Sequence, residues 1–422
     1  MSPVERRLGV WFEARRVGDL ILDASRRMAF CYDSAWLEDG FEISHSLPLN
    51  ETGDFLPPDM RGHFFFSNLL PEGDARHRLV RALGIADDDF ALLTALGGDC
   101  AGALQLLPEG VEPEPGGDAS EPLDEADVIN AIESGSAVFP RGGRQAPRLS
   151  LAGAQDKIAV RMHDGEGARL ALPVGQGAST HILKLPVRDL RHVPLYESYT
   201  TFMAARLGLD VAPVTPFPIG KHICSISERY DRYRDEAGRV QRLHQEDFCQ
   251  ALGRSSARKY ADEGATLADM AAVIRAACEV PALDLRNLVR WQIGNVLLGN
   301  ADAHLKNLSL LRPRHGRRYR LAPCYDLICT QAIRGISHRL ALPVGQLADP
   351  GLLRRTHWEV MAAELGVGKR LVVNTALEMA EQLHAGLSVW HAAFTERFGE
   401  HAVLQRVQQK MTAQAKRALR DW

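Results

Sequence analysis

The 422-residue sequence is interrupted after residue 107 by a proline- and acid-rich stretch. Residues 108–122 read PEGVEPEPGGDASEP, in which four prolines and several acidic residues leave almost nothing to pack in a core. This composition predicts a linker. The chain is therefore expected to have a front unit and a longer rear part.

The two parts show different patterns. The front unit has short strands rich in β-branched and aromatic residues, followed by helical patterns. In the rear part, residues 140–240 read mostly as strands with one helix. Residues from 243 onward are mostly helical, apart from short strands at 308–311 and 319–322. Together these patterns predict an α+β protein.

Composition limits the class of protein. Apolar residues make up 45% and charged residues 24%, which is typical of a globular chain and excludes a disordered or collagen-like one. The net charge is −3, but residues 1–130 hold 10 basic and 25 acidic side chains, against 40 and 28 in the remainder. A basic rear part favours a polyanionic partner, although solvated surface charge explains part of this asymmetry.

The cysteines and the N-terminus predict a cytoplasmic location. The seven cysteines are scattered and form no C-x-x-C pair, as expected for free thiols in a reducing cytosol. Charged residues interrupt the first twenty positions, so no signal-peptide core is expected. No apolar run is long enough for a membrane helix, and no membrane partner is expected.

The densest cluster of reactive side chains lies at residues 300–307, which read NADAHLKN. Asp302 and Asn307 are five residues apart, and Asp326 follows a predicted hairpin. Phosphoryl transfer requires a carboxylate that faces the incoming hydroxyl and oxygen ligands that hold Mg²⁺. D-x-x-x-x-N followed by a second aspartate has that arrangement. The spacing alone is a weak signal, because an Asx-rich turn has the same pattern.

A nucleotide site would also need a lysine and a phosphate-covering loop. Lys184 lies inside a hydrophobic strand, where it either faces the site or lies at a solvent-facing edge. Glu197, in the following helix, is either its ion-pair partner or a solvated charge. Residues 150–157 (SLAGAQDK) have small side chains whose backbone N–H groups can approach phosphates. Zinc-protease, paired-cysteine zinc and G-x-S-x-G hydrolase motifs are absent from the sequence.

These features and their flanks resemble the HipA family of bacterial serine/threonine kinases, the toxins of HipA–HipB toxin–antitoxin pairs. The resemblance is carried by ordered stretches between about residues 60 and 330: FFSNLLPEGDARHRL, ALGGDCAGALQL, LSLAGAQDK, HILKLP, ISERYDR, QEDFCQALG, NADAHLKNLSL and LAPCYDLI. It implies a two-lobed protein-kinase-like fold. The expected divisions are a β-rich accessory subdomain (1–107), a linker (108–122), an N-lobe-like part (123–242) and an all-α C-terminal lobe (243–422).

The resemblance also implies a role for each matching residue. Asp302 would be the catalytic base, and Asn307 and Asp326 would be the magnesium ligands. Ser150 matches a serine that such kinases autophosphorylate as an off-switch. The remaining residues would contact ATP, at the phosphates, in the covering loop or at the adenine hinge: Lys184, Lys306, Lys157, Ala152, Gly153, Ala154, Gln155, Glu228 and Tyr230.

The function that the resemblance implies is an ATP- and Mg²⁺-dependent toxin kinase. Its expected substrate is an aminoacyl-tRNA synthetase, most simply the glutamyl enzyme and possibly tRNA-bound. A helix-turn-helix antitoxin of the HipB type is the expected partner and would link the chain indirectly to operator DNA. Two alternatives stay open: a DNA-bound corepressor with little kinase activity, and a small-molecule kinase. The acidic front unit, which adds a protein-facing surface, disfavours the second alternative.

Overall fold

The computed structural model describes residues 6–49, 53–113, 119–135, 156–163, 169–174, 177–187, 190–316 and 318–422. Over these residues the chain forms an antiparallel front sheet, a larger antiparallel sheet and a mainly helical lobe. Each of the three has its own cluster of buried hydrophobic residues. This architecture confirms the predicted α+β class.

The front unit is a five-stranded antiparallel sheet with four helices packed against it. Its strands, in chain order, are β1 (Arg6–Phe12), β2 (Arg15–Leu22), β3 (Met28–Tyr32), β4 (Asp54–Phe55) and β5 (Leu104–Pro108). Its helices are α1 (Ser34–Asp39), α2 (Arg61–Ser67), α3 (Gly73–Leu83) and α4 (Asp89–Leu96). Asp88 caps α4 by accepting a hydrogen bond from the Ala91 backbone N–H at 2.8 Å. Strand β5 returns after the helices to pair with β1.

The second sheet has six antiparallel strands in the order β10-β11-β9-β7-β8-β6. These strands are β6 (Ser120–Pro122), β7 (Lys157–His163), β8 (Arg169–Pro173), β9 (His181–Lys184), β10 (Val214–Ile219) and β11 (His222–Glu228). Helices α5 (Glu125–Ser134) and α6 (Val193–Arg206) belong to the same stretch of chain. Both ends of the predicted linker are therefore strand residues, because it begins at the end of β5 and finishes in β6.

The helical lobe, which is the rear part from residue 243 onward, begins after a hairpin of β12 (Arg232–Arg234) and β13 (Val240–Arg242). Its helices are α7 (Phe248–Ala251), α8 (Leu267–Ala277), α9 (Pro281–Leu298), α10 (Arg355–Glu364), α11 (Lys369–Phe398) and α12 (Leu404–Asp421). A three-stranded sheet of β14 (Gln245–Asp247), β15 (Ser309–Leu311) and β16 (Arg320–Leu321) lies among them, so the lobe is mainly rather than purely helical. Helix α6 packs into the core of this lobe through Tyr199 and Met203.

Two further expectations can be compared with the structure. All seven cysteines are free, and all but Cys31 are buried. Among the helices of the described residues, none combines the length and apolar character needed to cross a membrane.

Candidate functional site

A cavity of about 450 Å³ lies where the front unit, the six-stranded sheet and the helical lobe meet. Asn68 and Glu72 of the front unit, Lys184 of β9 and Asp302 of the helical lobe all line it. Its volume is in the range of small-molecule sites in proteins. The cavity therefore brings together residues that are far apart in the sequence.

Lys184 is the central cation of this cavity. Its Nζ lies 2.6 Å from Glu197 Oε1 and 2.6 Å from Asp326 Oδ1, and the side chain is 9% exposed. Burial by itself would lower the pKa of Lys184, but the two carboxylates outweigh this effect and raise it above its ordinary value. The side chain thus faces the site and not a solvent-exposed edge, and Glu197 is its ion-pair partner.

Lys157 lies beside Lys184, because the two residues are cross-strand neighbours in the pairing of β7 with β9. Burial and then the positive charge of Lys184 lower the pKa of Lys157 to about 8. A site with two adjacent lysines, of which Lys184 is buried and Lys157 partly buried, attracts anions such as phosphate groups.

Asp326 has an unusual backbone conformation. Its φ is 57°, in the left-handed region that non-glycine residues seldom adopt and that is enriched at functional sites. Burial opposes ionisation of this carboxyl, but Lys184 and Lys157 hold its pKa below the usual range. Burial and the negative charge of Asp326 raise the pKa of Glu197 above its ordinary value, although Lys184 acts in the opposite direction.

The loop that follows α9 holds the backbone of Asp302 from several sides. Its N–H donates to Asn300 Oδ1 at 3.2 Å, and its carbonyl accepts from the His304 N–H and from Asn307 Nδ2, both at 2.9 Å. The Tyr260 hydroxyl donates to Asp302 Oδ1 at 3.1 Å. The loop therefore fixes the aspartate and the asparagine relative to each other.

The Asp302 side chain is exposed and lines the cavity. The surrounding protein reduces its solvation, and this effect, together with the negative charge of Asp326, raises the pKa of Asp302 to about 6. A carboxylate of that basicity is suited to accept a proton near neutral pH.

Lys306 connects the same loop to the front unit. Its Nζ donates to the Asn68 backbone oxygen and to Asn68 Oδ1, both at 2.9 Å, and to Asp247 Oδ2 at 2.8 Å. Lys306 also lines the cavity. Sequence analysis predicted a nucleotide contact for this lysine and missed its anchoring contacts.

Glu72, Lys259 and Tyr260 form a wall of the cavity that sequence analysis also missed. Glu72 Oε2 lies 2.6 Å from Lys259 Nζ. Burial opposes the charge on Glu72, but Lys306 and then Lys259 lower its pKa below the ordinary value. The only sequence signal for Glu72 was its place in the PEGD segment of a family-like stretch, and Lys259 and Tyr260 had none.

The predicted hinge residues lie at the end of β11, where Glu228 is the last strand residue and Tyr230 follows, and both line the cavity. Glu228 is exposed, whereas the Tyr230 ring stacks on Tyr325 at a centroid distance of 5.8 Å. The Tyr230 hydroxyl donates to Gln245. The two tyrosines thus provide a flat aromatic surface at this end of the cavity.

A buried charge network fastens the front unit to this hinge. Arg229 makes a two-pronged contact with Asp231, with Nε–Oδ1 and Nη2–Oδ2 distances of 2.9 and 2.8 Å. Arg232 Nη2 donates to Asp99 Oδ1 of the front unit at 2.7 Å. These side chains are 2–3% exposed, so their mutual pairing is needed to offset the cost of burying charge.

The other predicted loop residues lie outside the described part of the chain. They are Ser150, Ala152, Gly153, Ala154 and Gln155. The described chain resumes at residue 156, one position before Lys157.

The donor set at the cavity fits Mg²⁺. Asn307 Nδ2 donates to the Asp302 carbonyl, which leaves the amide oxygen as the group able to ligate a cation, and Asp326 supplies carboxylate oxygens. Magnesium prefers oxygen ligands and commonly takes only one or two protein carboxylates, with phosphates and water completing the shell. Within the described residues no group of three or more His, Cys, Asp or Glu side chains is placed to hold a metal. The arrangement is therefore suited to a metal–nucleotide complex.

Comparison with known families assigns most of the chain to two family models. Residues 8–107 match the HipA N-terminal domain and residues 149–387 match the HipA-like C-terminal domain. The first match spans β1–β5 and the second includes every predicted catalytic and nucleotide-binding residue.

Relatives that align with most of this chain agree with these family matches. The chain is 42% identical over 375 residues to the putative kinase Y4mE of Sinorhizobium fredii, with 87% of each chain covered. It is 30% identical over 383 residues to the serine/threonine-protein kinase toxin HipA of Shewanella oneidensis, covering 87% of this chain and 85% of that one. A solved complex of Shewanella oneidensis HipA, HipB and operator DNA contains a chain that is similar in fold, with a TM-score of 0.82, 27% identity and 97% of each chain covered.

Proposed function

Because the chain belongs to the HipA family and is a kinase, we propose that it is an ATP- and Mg²⁺-dependent protein-serine kinase that acts as the toxin of a toxin–antitoxin pair. One observation carries the proposal. A single cavity joins the Lys184–Glu197 ion pair to Asp302, Asn307 and Asp326. These are the groups that phosphoryl transfer from ATP requires.

Each group has a role consistent with its surroundings. Asp302 accepts the proton of the acceptor hydroxyl, and Lys184 neutralises charge on the α- and β-phosphates. Asn307 and Asp326 hold Mg²⁺, which when bound neutralises charge on the β- and γ-phosphates. The backbone beside Glu228 and Tyr230 reads the edge of adenine.

The covering loop completes the nucleotide site in this proposal. Ala152, Gly153, Ala154 and Gln155 cover the phosphates, with Lys157 and Lys306 nearby. Ser150 is the autophosphorylation site that switches the enzyme off. A phosphate there adds a charge of about −1.5 to −2 beside the nucleotide phosphates and repels ATP.

The proposed acceptor is a serine of an aminoacyl-tRNA synthetase, most simply the glutamyl enzyme. The excess of basic residues after position 130 suits a tRNA-bound substrate. The front unit supplies Asn68 and Glu72 to the cavity, which supports a macromolecular acceptor over a small metabolite.

A HipB-type antitoxin is the proposed partner, because the solved Shewanella oneidensis relative is assembled with HipB and operator DNA. The operator DNA in that solved complex also supports a second candidate function, a DNA-bound corepressor with little kinase activity. The complete set of reactive side chains in the cavity supports an active enzyme instead.

Transfer to the proposed substrate tests this function. The purified chain is incubated with Mg-ATP and glutamyl-tRNA synthetase, with and without its tRNA, beside Asp302→Asn. Peptide mass spectrometry should find one phosphoserine on the synthetase with the parent chain and none with the variant. A phosphate-free synthetase, while the chain still forms ADP, would point to another acceptor.

A further inference from the structure

We propose that Tyr260 is a positioning residue that holds the Asp302 carboxylate for proton transfer. This inference rests on the proposed function, since it takes Asp302 to be the catalytic base. It adds a residue that precedes Asp302 by 42 positions and belongs to none of the stretches that revealed the site.

Different residues hold the backbone and the side chain of Asp302. Asn300, His304 and Asn307 hold only its backbone N–H and carbonyl. Within the part of the chain that the structure describes, the hydrogen bond to its carboxylate comes from the Tyr260 hydroxyl, at 3.1 Å to Oδ1. The loop therefore places the residue, and Tyr260 sets the rotation of the carboxylate.

Tyr260 is itself held from two sides. The His304 ring meets it edge-on at a centroid distance of 5.2 Å, and Lys259 Nζ lies 5.5 Å from its ring centroid. Lys259 is in turn fixed by its ion pair with Glu72 of the front unit. The phenol is 37% exposed and lines the cavity, so an acceptor can approach beside it.

This arrangement leaves one carboxylate oxygen for chemistry. With Oδ1 engaged by Tyr260, Oδ2 accepts the proton of the acceptor hydroxyl. The acceptor oxygen forms a bond to the γ-phosphorus, the bond from that phosphorus to the bridging oxygen breaks, and ADP leaves with the electron pair. Misplacement of a reacting group by about 1 Å can reduce rates by roughly 100-fold. Because the Tyr260 hydroxyl contacts the Asp302 carboxylate, it contributes to kcat and not to ATP binding.

Removal of one hydroxyl tests the inference. Tyr260→Phe is compared with the parent chain and with Tyr233→Phe, a matched loss of a hydroxyl outside the cavity. ADP formation from Mg-ATP is measured because it counts transfer to every acceptor, water included, and Mg-ATP affinity is measured separately by calorimetry. Tyr260→Phe should lower kcat by about 10-fold or more with affinity within about twofold, whereas Tyr233→Phe changes neither.

A double-mutant cycle separates positioning from a general structural role. If Tyr260 acts through Asp302, Tyr260→Phe has no further effect on the residual turnover of Asp302→Asn. Wild-type kcat in Tyr260→Phe, or the same loss in both backgrounds, overturns the inference. If the turnover of Asp302→Asn is too low to measure, the effects of Tyr260→Phe on kcat and on Mg-ATP affinity decide. A lower kcat with unchanged affinity supports the inference, and a loss of affinity overturns it. Full turnover in Asp302→Asn overturns the base assignment itself, and the role of Tyr260 with it.

Discussion

Glu246 gives the sharpest prediction on stability. Its carboxyl is buried at the junction of the front unit and the helical lobe, where the Ser44 hydroxyl lies 2.5 Å from Oε2 and the His45 N–H donates to Oε1 at 3.0 Å. Burial raises the pKa of Glu246 to about 8. We predict that Glu246→Gln stabilises the fold at alkaline pH, because the amide never ionises. Its oxygen can accept from the His45 N–H, and its Nε2 can donate to Ser44 Oγ in place of the bond that the carboxylate accepts.

The magnitude follows from proton linkage. The pKa of Glu246 is about 8 in the folded chain and 4.5 ordinarily, so the folded state binds the proton more tightly. The cost of ionising the buried group is absent below about pH 4.5, grows as the pH rises and is complete above about 8. At about 1.4 kcal/mol for each pH unit, it reaches at most about 5 kcal/mol.

Urea unfolding at pH 5.5, 7.0 and 8.5 measures this effect. Other titrating groups contribute equally to the parent and to Glu246→Gln, so their difference in unfolding free energy isolates the one carboxyl. We expect the advantage of the variant to grow by several kcal/mol over this range, whereas the exposed-site control Glu236→Gln shows no such trend. A difference that is constant with pH, or that shrinks as pH rises, would refute the reasoning.

Three further outcomes are expected. Lys184→Met should cost about 3–5 kcal/mol in urea unfolding and weaken Mg-ATP binding in calorimetry, because the buried Glu197 carboxylate loses its cation and the partly exposed Asp326 loses an ion-pair partner; unchanged stability contradicts the ion-pair account. The kcat/KM for ADP formation should fall about tenfold per pH unit below about 6, where Asp302 becomes protonated; a profile that stays flat down to pH 5 contradicts the base assignment. Lys306→Met should also cost about 3–5 kcal/mol, because Asp247 is left unpaired; loss of ATP affinity without loss of stability would favour a nucleotide contact over an anchor.

Local patterns predicted much of the fold correctly. The order of short strands followed by helices in the front unit was predicted correctly, because period-2 and period-3.6 patterns are properties of short segments. Strand β8 was not singled out within the strand-rich region, because its five residues end in proline and are defined by pairing with both β6 and β7. The edge strand β6 was missed because linker-like composition and edge-strand composition overlap.

The candidate site likewise contains residues that sequence patterns predicted and contacts that they did not. The family-like stretches located Lys184, Asp302, Asn307 and Asp326, and the structure brings all four to one cavity. The contribution of the front unit was not predictable, because the Lys306 contact with Asn68 spans 238 positions and no local pattern encodes it.

The central claim is that the chain transfers phosphate from ATP through Asp302. Its most direct test is intact and peptide mass spectrometry of the chain after incubation with Mg-ATP, with ADP formation followed in parallel and Asp302→Asn as the control. We predict ADP formation and one added phosphate on Ser150 in the parent chain, and no added phosphate and at most a small residual ADP formation in the variant. Equal ADP formation by the two proteins, or none by a parent chain that binds Mg-ATP, would contradict the account.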